Sequence, residues 1–203
     1  MSEAETLAAF STGWNAVADS TDLLVVGEMG IGNTTAGAAL AAAIFGGSGA
    51  DWSGRGTGLD DAGVSRKADA VDRALAKNPD AKDSGLSALT ALGGREIAAM
   101  AGAMAGARAR RIPVLLDGFI ATSAASVLWA ENKAATDHMI AAHLSAEGAH
   151  RNMLNELNME PLVSMGLRLG EGSGAALAIP LIKAAIACHT GMATFAEAGV
   201  SDG

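Results

Sequence analysis

Two short stretches place a carboxylate among glycines at the start of an apolar run: Glu28 in GEMGIGNTT and Glu171 in LGEGSGA. A glycine turn that opens a helix lets backbone N–H groups converge and adds the partial positive charge of the helix start, which suits an anion. A carboxylate at the mouth of such a turn would repel that anion, so Glu28 needs a reason of its own. GEMGIGNTT is not a Walker A loop, because no lysine precedes its threonine pair. Nor is it a dinucleotide fingerprint, because from Gly30 and Gly32 the third glycine falls at Thr35. On these residues a plain tight turn and an anion loop stand about level. Glu171 either favours a helix dipole or serves as a general base in a pocket whose desolvation raises its pKa. Lys67 follows the glycine-dense GRGTGLDD. Taken alone it is a solvated helix lysine; with that loop it becomes a point charge that can reach a phosphate.

Other chemistries are poorly served. His138 and His143, within one strand, would point to opposite faces, and no metal-ligand spacing such as HExxH occurs, so no metal site is expected. Asp117, His143 and Ser145 have the types of a hydrolase triad, but the GxSxG elbow is missing. Met29, Met100, Met104 and Met139 read as core filler. Net charge is −8, which offers nucleic acid no basic footprint. A single cysteine, Cys188, excludes an internal disulfide and fits a reducing cytoplasm. The opening MSEAETLAAF has neither the charge nor the apolar core of a secretory signal. Apolar stretches are broken before about 18 residues accumulate, so no membrane partner is expected.

The elements that must position these residues follow from periodicity. Residues 3–18 have helical spacing, with Leu7, Phe10, Trp14 and Val17 roughly on one face. DLLVV (22–26) and IPVLLDG (112–118) are continuous apolar runs typical of strands buried on both faces, and DHMIAAHLS (137–145) is a third strand candidate. Helices are expected from an Asn33 N-cap to the Gly46–Gly47 stop, over 62–76 after Asp60 and Asp61, and over 95–111, 119–133 and 146–157. LRLGEGSGAALAIPLIKAAI (167–186) repeats the opening design of an apolar stretch, Gly-Glu-Gly and an apolar helix. Hydrophobic residues make up 50% of the 203, but aromatics only 3%, so small aliphatic side chains must fill the interior. Alternating strands and helices predict an α/β fold with a parallel sheet, whose ligands bind beyond the carboxyl ends of the strands. GEMGIGNTT, DGFIATS and HLSAEGAH should gather there, with LGEGSGA able to join them.

The blocks GEMGIGNTTAGAAL, GRGTGLDD with Lys67, GGREIAAMAGA, RIPVLLDGFIATSAA, HLSAEGAH, LRLGEGSGAALA and MATFAEAGV follow one another in order. Together they resemble the nicotinate-nucleotide–dimethylbenzimidazole phosphoribosyltransferase family, from about residue 20 to the C-terminus. The resemblance implies a Rossmann-like parallel sheet flanked by helices, in a homodimer. It implies transfer of a phosphoribosyl group from nicotinate mononucleotide to 5,6-dimethylbenzimidazole, with inversion at the anomeric carbon, to make the lower-ligand nucleotide of cobalamin. No pyrophosphate leaves, so no Mg²⁺ and no cofactor is implied. Glu171 takes the place of the general base and Glu28 that of a second acidic residue. Gly30, Gly32, Asn33 and Thr34 line the nucleotide, Gly56, Lys67 and Ser145 lie near its phosphate, and Leu169 walls the base pocket. Glu28 would then face the ribosyl centre, whose developing positive charge it stabilises.

Family members carry a substantial N-terminal segment that builds much of a smaller domain. Residues 1–203 are therefore expected to be a single α/β nucleotide-binding catalytic domain with most of the smaller domain absent, 1–20 and 190–203 being its remnant. Exposed apolar surface is expected on the first helix and the tail. Arg95 stands where the family pattern has an aromatic. Two other readings remain: another nucleotide-binding α/β enzyme that shares only the anion loop, or a non-catalytic partner of a full-length relative.

Overall fold

Three short parallel strands, β1 (Leu24–Val26), β2 (Val114–Leu116) and β3 (Met139–Ala141), lie side by side in that order. Val25 is in register with Leu115, and Leu115 with Ile140. The structure, a computed structural model, describes residues 1–56 and 58–201. Side chains alternate across the sheet. Val114 and Leu116 enter the main core, while Leu115 and Ala142 enter a smaller one with Leu23, Val25, Ala175 and Ala178. The third strand is shorter than its sequence run, and the chain beyond it makes a further parallel bridge between His143 and Val163.

The main core is built from α2 (Asn33–Phe45), α3 (Gly49–Trp52), α4 (Asp61–Lys77), α5 (Gly85–Leu92), α6 (Arg95–Ala109), α7 (Gly118–Glu131) and α8 (Ala149–Glu156), with α1 (Glu3–Ala16) outside α6. The α5 helix and the 3₁₀ turn Pro79–Lys82 before it lie in a stretch where the sequence predicts no element. Residues 37–43 of α2 and 118–128 of α7 are buried all round, which alanine permits because helix axes can approach closely. The hydroxyls of Thr122, Ser123 and Ser126 survive burial by donating to carbonyls of the preceding turn, at 2.7, 2.8 and 2.9 Å.

Apolar surface is exposed on α1, as expected: Leu7 is 66% exposed and Trp14 lies at the surface, while Thr6, Gly13 and Val17 turn inward. Small residues decide this rotation. A Cβ at Gly13 would collide with the Ala99 carbonyl, and one at Gly102 with the Phe10 carbonyl, so the two backbones touch. Arg95 at the start of α6 pairs with Glu5 of α1. In the tail, Met192, Phe195 and Val200 are exposed, as anticipated.

On the other face of the sheet lies α9 (Ser173–Gly191). Ala175 and Ala178 meet Leu115 and Ala142, while Leu177, Leu181 and Ile186 are exposed. Contrary to expectation, this helix is long and apolar enough to cross a membrane, with a mean hydropathy of 1.3 over its best window. Its inward stripe of small residues is that of a helix laid on a sheet.

Candidate functional site

Each strand ends in one of the anticipated loops. After β1 come Gly27 and Glu28, after β2 Asp117 and Gly118, and after β3 the run through His143 to Ser145. The LGEGSGA turn joins them: a Cβ at Gly27 would lie 2.6 Å from the Glu171 backbone carbon and 2.6 Å from the Gly172 nitrogen. A Cβ at Gly170 would sit 3.4 Å from Glu28 Oε1. The loops carrying the two candidate carboxylates are thus in van der Waals contact.

The N-cap of α2 is Gly32, in the left-handed region at φ 86°, and not Asn33. Asn33 is the first helical residue, and its amide donates to Glu28 Oε2 instead of capping the helix. Burial pushes the Glu28 carboxyl above the ordinary carboxylate value; the Asn33 bond opposes this, and the charges of Glu96 and Asp117 add to it. The α9 turn repeats the design in exaggerated form. Gly170, Glu171 and Gly172 all have positive φ (79°, 58° and 78°), a strained conformation for glutamate. Glu171 itself is exposed, so the described residues do not form the desolvating pocket expected around it.

At the other end of the cluster, Lys67 is only 7% exposed, which a solvated helix lysine would not be. Its ammonium donates to Thr34 Oγ1 at 3.0 Å and to the Gly54 carbonyl at 2.8 Å. Burial lowers its pKa, against the opposing charge of Glu147. Glu147 carries no sequence signal of its own, though it lies inside HLSAEGAH. It is buried and accepts the Gly56 N–H, at 3.0 Å to Oε2, so this N–H is committed within the protein. The Ser145 hydroxyl accepts from the Glu147 N–H at 3.2 Å, and the Ser145 N–H donates to His150 Nδ1 at 2.9 Å. Nδ1 of His150 is therefore the acceptor and Nε2 carries the proton, 2.9 Å from Thr122 Oγ1. Burial pushes this imidazole down to about 3.

His138 and His143 do face opposite ways, the former against the Met104 carbonyl at 3.0 Å and the latter beneath α9. His143 Nε2 is 3.3 Å from Asp117 Oδ1, but neither ring nitrogen of His143 is hydrogen-bonded to the Ser145 hydroxyl, so no nucleophilic triad is assembled among the described residues. Met29, expected in the core, is 79% exposed, and Ile31 and Leu169 also project into solvent. Met100, Met104 and Met139, also expected there, are buried. The two carboxylates thus mark the mouth of two touching loops on which Met29, Ile31 and Leu169 are exposed.

The fold and site define a parallel α/β protein whose loop cluster, at the carboxyl edge of the sheet, combines a buried lysine with two carboxylates. The chain belongs to a phosphoribosyltransferase family, whose model matches residues 1–200. It is 60% identical over 203 residues to the nicotinate-nucleotide–dimethylbenzimidazole phosphoribosyltransferase of Jannaschia sp. (strain CCS1), covering 100% of this chain and 60% of the relative. The enzyme of that name from Ruegeria pomeroyi is 61% identical, over 98% of this chain and 59% of its own length. The crystal structure of CobT from Thermus thermophilus superposes with a TM-score of 0.88 at 44% identity, covering 98% of this chain and 59% of that one. The chain therefore spans about 60% of the length of the relatives it matches.

Proposed function

We propose that this chain holds the nucleotide and the reacting carboxylates for phosphoribosyl transfer from nicotinate mononucleotide to 5,6-dimethylbenzimidazole, giving α-ribazole 5′-phosphate and nicotinate. The observation that carries this reading is the contact between the Glu28 and Glu171 loops across Gly27, with Lys67 at the far end of the same cluster. Lys67, Thr34 and Ser145 bind the ribose phosphate, with Gly56 held close by Glu147. Gly30, Gly32 and Asn33 line the sugar, and Leu169 stands at the base pocket. One ring nitrogen of the benzimidazole uses its lone pair to form the bond to C1′ from the face opposite nicotinate. The old C1′–N bond breaks, its electron pair returns to the pyridinium nitrogen, and a neutral ring leaves without needing an acid. The Glu28 carboxylate stabilises the positive charge on the ribosyl centre, and Glu171 takes the proton from the other ring nitrogen.

The exposed Met29, Ile31 and Leu169 favour a second element of this reading. Further protein covers the mouth, desolvates Glu171 and completes the acceptor pocket. It is supplied by chain corresponding to the rest of the relatives' length, or by a second subunit in a homodimer. The site of action is cytoplasmic. Incubation of the chain, together with the protein that completes its mouth, with nicotinate mononucleotide and 5,6-dimethylbenzimidazole, followed by chromatography, is expected to give α-ribazole phosphate, and Glu171→Gln to slow it to a small residual rate. Product formed equally well by Glu171→Gln would rule out the assigned base.

A further inference from the structure

We propose that Asp117, at the carboxyl end of β2, is the positioning residue for Glu171. This rests on the reading of Glu171 as the base. Asp117 Oδ2 accepts the Gly172 N–H at 2.8 Å, and Oδ1 accepts the Ala175 N–H at 2.9 Å. Both donors belong to the first turn of α9, where no intrahelical carbonyl can serve them, and Gly172 immediately follows Glu171. The carboxylate therefore takes the place of the missing cap, since Gly172 offers no side chain.

The need for such a clamp comes from the backbone. Three consecutive residues in the left-handed region do not hold that shape unaided, and glutamate disfavours it. Asp117 is 5% exposed and fixed to the sheet by its own strand, so it transmits the position of a rigid element to a strained turn. It is buttressed from behind. His143, 2% exposed, places Nε2 3.3 Å from Oδ1, and the absence of a side chain on Gly174 leaves room for that ring beneath α9. Gly27 closes the turn from the other side, so Glu171 is held between β2 and the Glu28 loop.

The test is kinetic and structural. Asp117→Asn keeps the shape but turns one acceptor into a donor that faces an N–H. Its kcat is expected to fall about a hundred-fold, as for a reacting group displaced by about an ångström, with the KM for nicotinate mononucleotide within about two-fold. In a Glu171→Gln background the same change is expected to cost nothing further, because Asp117 acts through that residue. An unchanged kcat, or an equal loss in the Glu171→Gln background, overturns the proposal.

A wild-type chain that makes no product even with the protein that completes its acceptor pocket overturns the transfer reading and leaves the clamp to be judged by structure. Crystal structures and amide exchange of wild type and Asp117→Asn then decide. Displacement of the Glu171 backbone with loss of protection at Gly172 and Ala175 supports positioning, and an unmoved turn overturns it. If Asp117→Asn does not fold, Asp117→Ser, which keeps one acceptor, is put to the same measurements.

Discussion

Gly27 lies so close to Glu171 that a single methyl group would come within 2.6 Å of the glutamate's backbone carbon. Gly27→Ala is therefore expected to drive the Glu28 and Glu171 loops apart. A reacting group moved by about an ångström loses on the order of ten- to a hundred-fold in turnover, while phosphate binding at the Lys67 end is spared. Steady-state kinetics with nicotinate mononucleotide should show kcat falling and KM nearly unchanged. Full activity would show that the loops need not touch.

Lys67→Met keeps most of the buried volume and removes the ammonium that Thr34 and the Gly54 carbonyl hold in place. Loss of a charge-assisted contact to phosphate costs roughly 1.5–3 kcal/mol, or about ten- to a hundred-fold in the dissociation constant of nicotinate mononucleotide. Isothermal titration calorimetry reads this directly. An unchanged affinity would place the phosphate elsewhere. The variant should also melt earlier, because buried Glu147 loses its neighbouring positive charge.

His150 sets a dependence of stability on pH. Unfolded, its ring takes a proton near 6.5; folded, it does so only at about 3. Between those values the unfolded chain binds the additional proton. Stability present above pH 6.5 is therefore lost as the pH falls, by about 1.4 kcal/mol for each pH unit. Urea denaturation at about pH 7, 6 and 5 should show a steeper decline for wild type than for His150→Gln. Parallel declines would contradict the assignment.

The seam between α1 and α6 contrasts packing with charge. Gly102→Ala inserts a methyl group into the Phe10 carbonyl and is expected to destabilise the fold by about 1–3 kcal/mol. Arg95→Ala removes an ion pair whose partners are 68% and 46% exposed, so solvent screening limits its cost to about 1 kcal/mol or less. Chemical denaturation of the two variants should rank them in that order, and the reverse ranking would mean that the seam is held by charge.

Much of the architecture is legible from residue spacing. DLLVV and IPVLLDG contain β1 and β2, the helices around 62–76 and 119–133 fall within a few residues of their predicted ends, and the parallel order brings the anticipated loops to one edge. These features arise from local rules, periodicity and glycine stops, that operate within a few residues. The rotation of α1 escapes such rules because they weight large apolar side chains over Gly13, whose worth lies only in what it lets approach. The α5 helix escapes them too, because a Ser84 cap and a glycine start give little periodic signal in an eight-residue element.

By itself, then, the sequence determined the parallel α/β class, the two glycine–carboxylate turns and the family that their order resembles. Tertiary structure alone decided which residues meet. Lys67 is buried because the start of α2 and the Gly54 loop fold over it, and burial is a property of neighbours, not of helical position. Glu147 faces the Gly56 N–H across 91 positions of chain, and Asp117 holds the Gly172 N–H across 55. Such contacts exist only after parallel crossovers have returned the chain to the same edge of the sheet. A spacing rule that reaches a few residues cannot see them, because the distance that matters is set by the packing of whole elements.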